Sequence, residues 1–138
     1  MKLLKINFFL ILIYSNVLAG TNYFNEGLTF YQNKQFNKAK FKFEQDIVFN
    51  PKSEKSYLYL SKIFNSQEKE DLEEKNLNTV ILLNPKNEEA TYNLATLKLK
   101  QSDFEESKNL VNRLLVFCVN YCKKGQNLKI KLENSLKK

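Results

Sequence analysis

Two stretches of the chain read nearly in step: NPKSEKSYLYLSKIF, residues 50–64, and NPKNEEATYNLATLKL, residues 84–99. Their Asn-Pro pairs, Asn50-Pro51 and Asn84-Pro85, lie 34 residues apart. A 34-residue period that closes on proline is the mark of a helix–turn–helix unit whose copies stack into a solenoid. Solenoids of this kind usually bind other proteins and do not usually perform chemistry.

Working outward from that pair, three units emerge. In residues 20–53, Tyr23, Gly27 and Phe30 occupy the first helix, Lys34-Gln35-Phe36 the turn, Ala39 and Phe43 the second helix, and Pro51 the close. In residues 54–87, Tyr57, Leu60, Ser61 and Phe64 match the first helix, while Glu70 and Glu73 stand where a turn aromatic and an alanine are expected. In residues 88–121, Leu94, Ala95 and Leu97 fill the first helix, Ser102-Asp103-Phe104 the turn, and Ser107, Val111 and Leu114 the second helix. Val119 replaces the closing proline there, so the last second helix is expected to run on or bend. The pattern resembles the tetratricopeptide repeat family over residues 20–121. The resemblance implies an all-α, right-handed superhelical solenoid of about three repeats.

The physics agrees with those positions. Ala39 and Ala95 let helices approach closely. Pro51 and Pro85 lack an N–H and disfavour a helical residue before them, which ends the preceding helix. Ser53 and Asn87 can cap the following helix, with Glu54, Glu88 and Glu89 near its positive end. Helices are expected near 21–33, 37–49, 54–66, 70–83, 88–101 and 104–118. Leu128, Leu132 and Leu136 place one apolar stripe on a lysine-rich segment, 123–138, which reads as a capping helix. Its alternative is an amphipathic helix for an anionic membrane.

Residues 1–19 read differently from the rest. Lys2 and Lys5 precede an apolar run from Ile6 to Ile13, and Val17-Leu18-Ala19 ends it with small residues. This is the layout of a secretory signal peptide, with cleavage expected after Ala19, or after Gly20 as the nearby alternative, and residues 20–138 forming the mature domain. The run is short for an uncleaved spanning anchor. Thr21 stands where a lipoprotein would need a cysteine, which disfavours lipid anchoring. Removing residues 1–19 lowers the net charge from +7 to +5, most of the excess lying in the last segment. Nucleic acid fits poorly with an exported protein. The expected setting is the bacterial periplasm or cell envelope.

Catalytic chemistry finds little footing. The chain has no histidine, the usual general base near neutral pH and the commonest metal ligand. It shows no Gly-rich phosphate loop and no nucleophile elbow. No enzyme activity, metal or cofactor is expected. Cys118 and Cys122, the two cysteines, invite a disulfide in an oxidising compartment. Buried free thiols and redox activity are the other readings, and a bond would form more easily if the helix breaks near Val119-Asn120.

The family resemblance also implies a binding face on the first helices. The matching positions include Phe24, Leu28 and Tyr31, then Tyr59, Lys62 and Asn65, then Tyr92, Asn93, Thr96 and Lys100, with Asn25, Lys55, Leu58 and Leu99 among them. Tyrosine offers contact area at little rotamer cost, and asparagine can bond a peptide backbone. An extended or helical peptide from another protein is the expected ligand. Family members that clamp a C-terminal carboxylate use positions held here by Phe24, Leu28, Tyr59, Glu89 and Asn93, a set that would not hold an acidic tail. Two rivals remain: a membrane-surface protein tethered by an uncleaved N-terminus and its basic last helix, and self-association through the apolar ends of a short solenoid.

Overall fold

The computed structural model describes residues 22–137; the expected signal segment, residues 1–19, lies outside them. Seven helices are found among the described residues: α1 (Tyr23–Gln32), α2 (Phe36–Phe49), α3 (Glu54–Ser66), α4 (Glu70–Leu83), α5 (Glu88–Lys100), α6 (Phe104–Phe117) and α7 (Cys122–Leu136). They agree with the expected ranges to within about two residues, the normal fraying of helix ends.

The 34-residue period is written into the backbone. Lys34, Glu68 and Ser102 each have positive φ, at 58°, 56° and 62°. Each follows a first helix in a left-handed closing turn. Lys34 N–H donates to Tyr31 O and Gln35 N–H to Phe30 O, both at 2.9 Å, and Glu68-Lys69 and Ser102-Asp103 repeat the pair of bonds. This is a Schellman closure, usually built on glycine. A lysine, a glutamate and a serine occupy that position here, at a cost of about 1 kcal/mol each. The second helices also stop in register, at Phe49, Leu83 and Phe117. The residues after them, Asn50, Asn84 and Cys118, are all non-helical.

The chain divides into two compact units between Ser56 and Tyr57, inside α3. In the first unit, α1 packs on α2 through aromatic rings. Phe24 lies 5.7 Å from Phe43, Tyr23 stacks on Phe49 at 5.4 Å, and Tyr31 meets Phe36 edge-on at 5.5 Å. Gly27 is required at the crossing, since a Cβ there would sit 2.7 Å from the Phe43 ring. Ala39 and Phe43 are fully buried. Asp46, also buried, accepts a 2.5 Å bond from Ser56 Oγ, which itself accepts from Ser53 Oγ.

The second unit has an aliphatic core. Leu58, Leu77, Val80, Leu94, Leu97, Leu110, Val111 and Leu128 form it around Ala90 and Ala95. Small residues set the α5–α6 approach: Ser107 is buried and its hydroxyl donates to Ala95 O at 2.9 Å. Helix α7 lies against α6 and α5, burying Leu128 and Leu132, and a Cβ at Gly125 would come within 3.1 Å of Leu115 and 3.2 Å of Leu114. The apolar stripe of the last helix is thus largely committed to the core, and only Leu136 stays exposed.

Helix α6 does not run on through Val119. It ends at Phe117, and two features close the turn that follows. Cys118 and Cys122 are joined by a disulfide with Cα atoms 5.2 Å apart. The Glu88 carboxylate accepts from Asn120 N–H at 2.8 Å and Tyr121 N–H at 2.7 Å.

Candidate functional site

The residues expected to face a partner are set by the first helix of each pair. In the first unit, Phe24 and Leu28 lie one turn apart and are half-buried. Phe24 leans on Phe43, and Lys55 Nζ stands 6.0 Å above its ring. Tyr31 packs on Phe36 at the turn.

In the second unit, Tyr59 and Lys62 share a face of α3, three residues apart. Lys62 Nζ lies 4.6 Å from the Tyr59 ring centroid and 2.8 Å from Glu89 Oε1 on α5. The charge of Glu89 also acts on the Tyr121 hydroxyl. The Tyr121 ring is 5.5 Å from Tyr92, and Lys124 Nζ sits 4.3 Å above Tyr121 and 5.8 Å from Tyr92. Tyrosines and lysines from α3, α5 and the start of α7 therefore form one continuous strip, with Glu89 at its centre. Burial pushes the Tyr121 hydroxyl above the usual tyrosine value, and the charges of Glu89 and Glu88 push it further. Asn93 is half-buried one residue from Tyr92, and Thr96 turns its hydroxyl back onto Tyr92 O at 2.9 Å.

The other two members of the expected set are bonded to carboxylates of α4. Asn65 Nδ2 donates to both carboxylate oxygens of Glu73, at 3.0 and 3.1 Å. Lys100 Nζ pairs with Glu70 at 2.8 Å, and Gln101 Nε2 donates to the same carboxylate. Lys98 pairs with Glu74 at 2.6 Å. The acidic run of α4 is thus not a solvated surface throughout. Glu73 is buried where an alanine was expected, because the Asn65 amide holds both its oxygens. Burial raises the Glu73 carboxyl above its ordinary value and the Asn65 bonds only partly offset this. The bonds from Lys100 and Gln101 lower Glu70, and Glu70 in turn raises Lys100. Leu58 faces the core and not the strip.

Two features of the site were not legible in the residue pattern. One is the pairing of Lys62 with Glu89; the other is the arrival of Tyr121 and Lys124 beside Tyr92. Both join residues 27 to 32 positions apart, and no local periodicity marks them. Such half-exposed ion pairs add little stability. Their effect here is electrostatic: Lys62 and Lys100 each already face a carboxylate. Among the described residues there is no group of three metal-ligating side chains, and no helix is long and apolar enough to cross a membrane.

No protein-family model matches the sequence, and no curated protein matches it. Solved structures do. The TPR domain of Arabidopsis OM64 superimposes with a TM-score of 0.76 at 20% identity, over 87% of this chain and 98% of that one. The first TPR domain of Spaghetti (RPAP3), bound to the HSP90 peptide SRMEEVD, gives 0.76 at 15% identity, over 86% and 94%. The Yersinia enterocolitica type III secretion chaperone SycD, in complex with a peptide of the translocator YopD, gives 0.74 at 15% identity, over 84% and 92%. The 34-residue backbone period and these superpositions together identify the fold of this chain as that of a tetratricopeptide-repeat domain.

Proposed function

We propose that this chain is a non-enzymatic interaction module of the cell envelope that holds a segment of another protein against its first helices. The observation that carries the reading is the continuous strip Tyr59–Lys62–Glu89–Tyr121–Lys124–Tyr92. It combines rigid aromatic area with a nearby amide, Asn93, suited to a peptide backbone. Two domains of the same fold hold peptides: RPAP3 an HSP90 peptide and SycD a YopD peptide. Glu89 on the strip, and Lys62 already paired with it, favour a partner segment that is apolar or amide-rich over one ending in acidic residues. The apolar N-terminal run supports export, and the Cys118–Cys122 bond suits an oxidising compartment.

The test is photo-crosslinking from position 92 in the native envelope, with adducts identified by mass spectrometry. One dominant protein adduct that disappears in Tyr59→Ala or Asn93→Ala supports the reading. Efficient probe incorporation without any protein adduct sinks it.

A further inference from the structure

Second helices carry apolar side chains that the fold leaves uncovered at one recurring position. Leu82, near the end of α4, is 81% exposed, and Val116, near the end of α6, is 87% exposed. They are one period apart, and Val48 holds the same position in the first unit at 74%. Single exposed aliphatics are ordinary on a protein surface. Exposure at one register in every pair is not scatter, and Val119, in the turn after α6, adds a further 80% exposed side chain.

Arg113 Nη2, one turn before the end of α6, donates to Pro85 O, just beyond α4, at 3.0 Å, which links these two ends. Leu82 precedes Pro85 by three residues and Val116 follows Arg113 by three, so both belong to this end of the second unit. The turn bearing Val119 is pinned by the Cys118–Cys122 bond and by Glu88. Cations outnumber acids there. Residues 82–87 and 112–124 contain Lys86, Arg113, Lys123 and Lys124 and no carboxylate. Of the two nearby acids, Glu88 is turned onto the N–H groups of Asn120 and Tyr121, and Glu89 is paired with Lys62.

We propose that this end of the second unit docks on an anionic lipid surface, with Leu82, Val116 and Val119 entering the interface and Lys86, Arg113 and Lys123 meeting the headgroups. Apolar side chains bordered by cations, with the neighbouring acids already engaged, are what such a surface recognises. A second copy docking through the same patch would set cation against cation. The surface is formed by the ends of second helices and borders the strip at Tyr121 and Lys124 without using them. It also differs from the stripe of α7, whose Leu128 and Leu132 are buried.

The chain has no tryptophan, so Val119→Trp in the full chain supplies a single local reporter. Its emission is followed on titration with phosphatidylcholine vesicles, with and without phosphatidylglycerol. A blue shift and quenching by brominated acyl chains with the anionic vesicles alone, weakened by salt, is the expected result. Leu82→Asp with Val116→Asp in that background should weaken the association at least tenfold. No shift with anionic vesicles overturns the proposal. So does an equal shift from Asn109→Trp, which would assign binding to another part of the chain. A shift that appears without vesicles and grows with protein concentration would assign the patch to self-association and likewise overturn it.

Discussion

The turns after α4 and α6 end in the same place by different means. Both second helices stop in register, and both following residues make the same closing bond: Asn84 N–H to Val80 O at 2.8 Å, Cys118 N–H to Leu114 O at 2.9 Å. After α4 the stop is intrinsic to the chain. Pro85 has no N–H and forces Asn84 out of helical conformation, wherever that segment might be placed. After α6 the stop is assembled. A disulfide ties Cys118 to Cys122, and Glu88, more than 30 residues upstream, caps the N–H groups of Asn120 and Tyr121. One turn is stereochemistry; the other is a set of partnerships, open to chemistry that leaves the first untouched.

The largest effect should come from removing the cross-link. Cys118→Ser with Cys122→Ser, or reduction, should cost roughly 2 kcal/mol on the loop-entropy scale for a short loop. Thermal unfolding with and without reductant reads this, and amide exchange should quicken in α7 while α3 is unaffected. Equal loosening of both would break the contrast. Pro85→Ala should cost less, about 1 kcal/mol, mainly by freeing the unfolded chain. It should show no dependence on reductant.

The carboxylate half of the closure is read by pH. Burial pushes the Glu88 carboxyl up, but the N–H groups of Tyr121, Val119 and Asn120 outweigh it and hold it below its ordinary value of 4.5. Its stabilisation is therefore present above that value and lost as pH falls through the lowered folded-state value. Glu88→Gln should be less stable than the native chain at pH 7 and indistinguishable from it at strongly acid pH. Glu73 has the opposite sign. Its raised carboxyl favours the fold when protonated, so that contribution is full below 4.5 and is lost as pH rises through its folded-state value. Glu73→Gln should gain stability at pH 7 and lose the advantage on acidification. Parallel pH–stability curves for the two variants would show that the carboxylates do not differ as described.

The smallest effect tests the turns that all three pairs share. Glu68→Gly relieves a left-handed glutamate but frees the unfolded chain, so a net gain of a few tenths to about 1 kcal/mol is expected. Chemical denaturation should show the same sign for Lys34→Gly. A loss at either position would mean that the side chain contributes more than its backbone strain costs.

Much of the fold was legible because its determinants are local. The Asn-Pro pairs, the small residues at helix crossings and the apolar spacing act within a few residues of where they stand, and they placed α1 to α7 to within about two residues. The strip of tyrosines and lysines was legible only in part. Tyr59 and Tyr92 could be placed by their position in the period, whereas Asn65 and Lys100, placed by the same rule, proved to serve Glu73 and Glu70. Position within a period says where a side chain starts, not what it meets.

The sequence by itself determined the period, the helices and the intrinsic stop at Pro85, since these follow from backbone stereochemistry and helical repeat length. The tertiary structure alone decided that Glu73 is buried under an amide, that Lys62 answers Glu89, that Glu88 closes the last turn, and that Leu82 and Val116 face outward. Hydrogen bonds, ion pairs and exposure depend on distances between segments far apart in the chain, and those distances exist only once the helices have packed.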